Sequence, residues 1–375
     1  MTSQRGLTPA GRASVEGVAR RHLESGLHSG AQLAVYRDGE LQVDLRIGSA
    51  SALESRMLWF SATKPLAAVA VLMLAERGQL DLDAPIAELW PEFAAGGKQA
   101  CTVRHVLTHR GGFPVFPWDY DWTHIDEWDA VCAVTAAIEA EWAPGEDTGY
   151  HPVTYGFALG EVIRRVDGRA PRDFLLDEVF GPLGMDASLG VEEARLADVL
   201  PVEAMSEVTM LDPTGSERRT SDIVRRFRLP ATLRAQMPAA NAIGTAESLA
   251  RFYDAVLDWR SPRDDSSRPR LLSAETALQA TTRQWRTTFD RTFMLPASYG
   301  LGFLVGGAME PYNQPGVFGH SGQQSTIGYA DPERGLAVAY VTNGLHGPLE
   351  VQMRYADIAL ALIAACEEAD GRSEG

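Results

Sequence analysis

Two stretches at opposite ends of this chain carry the same signature. AQLAVYRDGELQVDLRIGSA, residues 31–50, and STIGYADPERGLAVAYVTNG, residues 325–344, each hold two alternating apolar runs joined by a tight turn. Asp38-Gly39 supplies the positive φ angles of a two-residue hairpin in the first, and Asp331 to Gly335 forms the turn of the second. Between them the pattern is helical with long polar loops. An amphipathic helix over Pro9–Gly26, with Val15, Val18, Ala19 and Leu23 on one face, precedes the first hairpin, and another over 349–369 follows the second. The simplest chain path consistent with this order is an α+β fold: an antiparallel sheet built from both chain ends, flanked by helices, with a mostly helical domain inserted midway. Residues 1–80 and 241–375 would then form the α/β domain, with residues 81–240 as the insert. A cleft between the two is the expected place for a site.

Charge and cysteine usage narrow the function. A formal charge of −16 over 375 residues argues against a general nucleic-acid binder or an adherent to anionic membranes. Cys101, Cys132 and Cys366 are scattered without a C-x-x-C pair, which fits a reducing compartment and neither a disulfide framework nor a zinc cluster. The first 26 residues lack an apolar h-region, and the apolar run Leu66–Ala75 is half the roughly 20 residues a membrane span needs. The expectation is a cytoplasmic enzyme or binding protein with no metal and no cofactor.

The strongest hint of chemistry is a lysine. Among 34 basic residues only Lys64 and Lys98 are lysine, and Lys64 opens an almost wholly apolar run, WFSATKPLAAVAVLMLAERG. Arginine keeps its proton in a protein, whereas burial can neutralise a lysine. Ser61 precedes Lys64 by three residues, which places the two on one face of a helix. Pro65 fixes that register, because proline belongs in a first turn. A neutral amine beside a hydroxyl at a helix start is a nucleophile with its base, next to backbone N–H groups able to hold an oxyanion. The competing reading is a capping serine and a lysine whose stem lies along apolar surface.

FSATK resembles the S-x-x-K motif of the serine β-lactamases and penicillin-binding proteins. TVRHVLTHRGGFP, PGEDTGYHPVTYGFALGEVIRRVDG, FGPLGM, GTAESLARFY and FGHSGQQSTIGYADPERGLAVAYVTNG then follow in the order and at the spacing of the β-lactamase-related serine hydrolases. The nearest branch is the family VIII carboxylesterases, and the resemblance covers about residues 10–365. It implies a β-lactamase/transpeptidase-like fold with Ser61 as nucleophile and Lys64 with Tyr150 as the proton-handling pair. As base, Tyr150 would need a cation such as Lys64 to bring its pKa down. The resemblance further implies an oxyanion hole from the backbone N–H groups of Ser61 and Gln323. The segment His320-Ser321-Gly322 lies where the family has K-T-G and would line the substrate cleft. His320 would hydrogen-bond the substrate carbonyl side or Tyr150, or else contribute only polarity at a strand end.

Two departures point toward a neutral acyl substrate. Pro152 stands where β-lactamases have an asparagine, and His320 where they have a lysine for the antibiotic's carboxylate. Taken together, the motifs imply a serine carboxylesterase acting through an acyl-enzyme on short-chain or aryl esters, with weak or no β-lactamase activity. An acyltransferase, an amidase or D-aminopeptidase, and a non-catalytic acyl-ligand binder are the alternatives. The partner would be a small-molecule ester, with no nucleic acid and no membrane. FPVFPWDYDWTHIDEW, residues 113–128, would wall the pocket through Phe113 and Trp118 or form a packing seam. Residues 205–237 would supply a second wall or lid. His105 and His109 have the spacing of a helical zinc pair, yet no H-E-x-x-H glutamate accompanies them. No G-x-S-x-G elbow is present.

Overall fold

The computed structural model describes residues 5–117, 119–211, 217–263, 265–306, 314 and 316–371. Its centre is an eight-stranded sheet with every neighbouring pair antiparallel. From one edge the strands are Glu40–Gly48, Gly30–Arg37, Leu336–Thr342, Thr326–Asp331, Phe318–Gly322, Leu304–Val305, Ala297–Tyr299 and Trp285–Thr287. The two hairpins expected from sequence lie side by side, joined by the ladder from Ala31↔Thr342 to Arg37↔Leu336. Asp38 and Gly39 take φ values of 50° and 91°, as a two-residue turn of that hand requires.

Side-chain alternation divides the sheet between two cores. Leu33, Val35, Ile327, Val338 and Tyr340 face the helices Pro9–Glu24 and Pro348–Ala369, which close one face. Ala34, Ala330, Ala337, Ala339 and Val341 face the opposite core with the helices Lys64–Glu76 and Ala246–Arg260. Small residues on this second face let a helix approach closely; a Cβ at Gly328 would stand 2.4 Å from the Tyr253 ring. The result is the three-layer α+β architecture expected from the sequence, one antiparallel sheet between two helical layers. No described helix is long and apolar enough to cross a membrane.

A smaller three-stranded sheet has no counterpart in the sequence reading. Ala242–Gly244 pairs with Met57–Leu58 on one side and Ala187–Leu189 on the other. It carries the chain directly into the turn that holds Ser61, where Trp59 N–H donates to the Ala242 carbonyl at 2.9 Å.

Candidate active site

Ser61 does not sit on an α-helix. Phe60–Thr63 is a single 3-10 turn, and the α-helix begins at Lys64, with Pro65 in its first turn. The expected juxtaposition survives because three residues complete one 3-10 turn. Phe60 has a φ of 47°, a left-handed conformation rare for a bulky side chain. It turns the Phe60 ring into an apolar cluster with Leu58, Val191 and Ile243 and leaves Ser61 half-exposed. A residue held this way costs of order 1–3 kcal/mol and persists only where its surroundings enforce it. The enforcement is visible: Ala242 N–H donates to Thr63 Oγ1 at 2.9 Å, and the strand end at Gly322 presses on the turn.

Lys64 is fully buried, and its amine has three neighbours. Nζ lies 2.8 Å from the Pro152 carbonyl, 3.1 Å from the Ala239 carbonyl and 3.3 Å from Ser61 Oγ. Burial drives its pKa well below the ordinary lysine value. A neutral amine has two N–H donors for the two carbonyls and one lone pair for the Ser61 hydroxyl. Protonated, the amine would keep all three contacts with only the polarity of the third reversed. Pro152, which lacks the side-chain donor found in β-lactamases, thus contributes through its carbonyl.

Tyr150 lies over the same amine, with Nζ 4.7 Å from its ring centroid. Burial raises the phenol's pKa; a hydrogen bond with Ser61 opposes that, and the Asp290 carboxylate adds to it. As base, Tyr150 would need a nearby cation to bring its pKa down; burial pushes it the other way, so the hydroxyl stays protonated. The ring stacks on Phe293 at 4.4 Å and meets His109 at 4.6 Å. Asp290, a fully buried carboxylate carried by no motif, fixes its backbone. Asp290 Oδ1 accepts the N–H groups of Tyr150, Thr292 and Phe293 at 3.0, 2.9 and 2.9 Å, and Oδ2 accepts the Tyr299 hydroxyl at 2.8 Å.

The histidines are neutral scaffolding. His151 donates from Nδ1 to the Gly149 carbonyl at 2.6 Å and accepts Phe113 N–H at Nε2, 3.2 Å away. Its pKa is pushed down to about 3, chiefly by burial. His109 accepts His151 N–H at Nδ1, 3.0 Å away, and is also held neutral by burial. His105 instead closes the capping box of the short Val103–Leu107 helix with Thr102, so the i, i+4 pair is split between two structural tasks. His320 donates from Nδ1 to the Ser321 carbonyl at 2.7 Å, and burial chiefly brings its pKa down to about 3. It is buried 5.8 Å from the Tyr150 ring centroid and carries no charge with which to hold a carboxylate.

The strand Phe318–Gly322 and the turn after it border the nucleophile, with Ser321 and Gln323 half-buried there. A Cβ at Gly322 would lie 2.2 Å from the Trp59 carbonyl oxygen and 3.2 Å from Ser61 N, so only glycine permits this approach. Gln323 follows in the turn closed by Ser325 N–H to the Gly322 carbonyl at 2.9 Å.

The aromatic loop behaves differently from expectation. Phe113 is not a pocket wall: it is fully buried, 5.2 Å from Phe93 and 4.8 Å from His151, because its backbone closes the histidine scaffold. Trp118 lies outside the described residues. The half-buried Trp122 instead reaches Phe227 at 5.8 Å, and Phe227 meets Phe60 edge-on at 4.7 Å.

The chain is similar to known proteins over most of its length. The chain is 32% identical over 350 residues to Esterase/beta-lactamase LipL of Mycobacterium tuberculosis, covering 85% of this chain and 78% of that relative. A penicillin-binding protein homologue from Caulobacter crescentus superposes with a TM-score of 0.80 at 30% identity, covering 95% of this chain and 99% of its own. A family VIII carboxylesterase superposes with a TM-score of 0.78 at 26% identity, covering 97% and 99%. Residues 15–363 match the family described as Beta-lactamase, and the chain belongs to that family.

Proposed function

We propose that this chain is a serine hydrolase working through an acyl-enzyme on Ser61, and more specifically a carboxylesterase of short-chain or aryl esters. The observation that carries the reading is the surroundings of Lys64: a fully buried amine shared between two carbonyls and the Ser61 hydroxyl. Ser61 attacks the ester carbonyl while Lys64 takes its proton. Tyr150, kept as a phenol, relays that proton to the leaving alcohol. The N–H groups of Ser61 and Gln323 hold the oxyanion, and water deacylates the enzyme by the same route in reverse.

The neutral ester substrate follows from the charge around the nucleophile. His109, His151 and His320 are held neutral by burial, and the Lys64 amine is taken up by two carbonyls and the Ser61 hydroxyl, leaving no free cation among them for a carboxylate. LipL is named for both esterase and β-lactamase and the family VIII structure for carboxylesterase, and the esterase activity common to the two supports the same substrate class.

The test is turnover of p-nitrophenyl acetate, butyrate and octanoate, with nitrocefin in parallel, on wild type and Ser61→Ala, with intact-mass detection of the adduct. Ester turnover should fall at least a thousandfold in the variant, with little nitrocefin cleavage by either protein. Wild type that neither turns over an ester nor gains acyl mass would end the hydrolase reading.

A further inference from the structure

Behind the nucleophile turn lies a cavity of about 160 Å³ lined by Leu58, Leu196, Val199, Val202, Phe227 and Leu233, with Arg228 at its exposed rim. We propose that this cavity is the acyl-chain pocket of the enzyme and that the preferred acyl group is an apolar chain or ring of about six carbons. The assignment rests on the acyl-enzyme reading above and adds to it the pocket and the substrate's size.

Three observations carry it. The first is position. Leu58 precedes Ser61 by three residues, so their Cα atoms are at most about 11 Å apart. Phe227 both lines the cavity and packs on Phe60, the residue before the nucleophile. The left-handed backbone at Phe60 is what directs its ring to this side.

The second is size and chemistry. The lining side chains belong to, or pack against, the apolar cluster of Leu58, Phe60, Val199 and Val202. Apart from Arg228 the lining side chains are apolar, and in volume the space matches the roughly 150 Å³ that holds benzene, a six-carbon ligand. The third is direction. The proton on Lys64 and Tyr150 must reach the leaving oxygen, so the alcohol has to lie toward Tyr150, which is flanked by Phe293, His109 and His320. The cavity shares no lining residue with that flank and meets the turn of Ser61 from the other side, through the Phe60–Phe227 contact, which assigns it to the acyl side of the scissile bond.

The experiment is a p-nitrophenyl ester series with acyl chains of two, four, six, eight and twelve carbons on the full chain. Wild-type kcat/KM should rise about fourfold per added methylene up to hexanoate, the gain of burying each group, and fall by dodecanoate. Leu233→Trp should lower the hexanoate-to-acetate ratio at least tenfold, and Leu196→Phe should lower it from a separate segment, so the test does not hang on one variant folding. Phe227→Ala, which enlarges the space, should move the optimum to longer chains, a change that loss of structure cannot mimic. A flat wild-type series, or a ratio unmoved by both filling variants, would overturn the pocket while leaving Ser61 acylation by the acetate ester intact. If no ester adds mass to Ser61, the acyl-enzyme reading fails and the pocket falls with it.

Discussion

At the scale of the residue, the two lysines make the sharpest comparison. Both are buried, and burial lowers the pKa of both. Lys98 Nζ has three carbonyl neighbours, from Ala95, Ala136 and Ile138, and three acceptors call for the three donors of an ammonium. Lys64 has two carbonyls and a hydroxyl, a set that a neutral amine also satisfies. Activity should therefore depend on Lys64 being uncharged. The pH profile of kcat/KM should show an acid limb, falling as pH drops through a pKa below the ordinary lysine value of about 10.4. His320 and His151 titrate only near 3, so His320→Gln should keep that limb in place. Its disappearance in the variant would name histidine as the base. The same depression sets the sign of a stability effect. Between Lys64's folded pKa and about 10.4 the unfolded chain holds a proton that the folded chain does not, so this site's contribution to stability improves as pH rises across that window.

At the scale of the element, the site is built where short, irregular segments meet, and this decided what the sequence disclosed. The hairpins and terminal helices were legible because period-2 and period-3.6 patterns run long enough to read. Ser61 and Lys64 were legible because a local spacing carries them, whether the turn is 3-10 or α. Asp290, the Ala239 carbonyl and Phe227 were not, since each acts through contacts between segments distant in sequence, and a backbone carbonyl has no residue signature. Phe113 misled for the same reason: an aromatic loop reads alike whether its rings wall a pocket or close a core.

Two substitutions test these junctions. Gly322→Ala sets a Cβ against the Trp59 carbonyl, a clash with backbone that should cost about 1–3 kcal/mol in urea denaturation and slow acylation of Ser61 at least tenfold. An acylation rate equal to wild type would show that the strand end does not shape the nucleophile turn. Asp290→Ala strips the acceptor from three N–H groups and the Tyr299 hydroxyl. Buried donors left unpaired cost about 1–3 kcal/mol each, so a loss of at least 3 kcal/mol is expected, together with a lower kcat. Asp290→Asn, which retains an acceptor oxygen, should recover part of both.

At the scale of the whole molecule, the catalytic turn is tied to the last helix of the chain. Arg354, in the second turn of Pro348–Ala369, is fully buried and reaches oxygens from several segments. Its Nη1 donates to the Leu27 carbonyl at 3.2 Å, Thr342 Oγ1 at 3.0 Å and the Gly344 carbonyl at 3.3 Å. Its Nη2 donates to the carbonyl of Gln324, the residue after Gln323 and one held at a φ of 59°. One guanidinium therefore joins the N-terminal helix's exit, the end of the central strand and the turn carrying Gln323, whose N–H is the proposed oxyanion donor. Its fork of fixed donors suits that task, and a lysine would not reproduce it. Arg354→Met keeps much of the volume but leaves those oxygens unpaired in the core, which should lower stability by about 2–4 kcal/mol. If the fork also sets the turn, kcat for p-nitrophenyl acetate should fall at least tenfold at a temperature where the variant remains folded, with KM changed far less. The oxyanion forms only after binding, so loosening its donors weakens the transition state rather than the ground-state complex. A variant of reduced stability with wild-type kcat would separate the two roles and leave Arg354 a purely structural clamp.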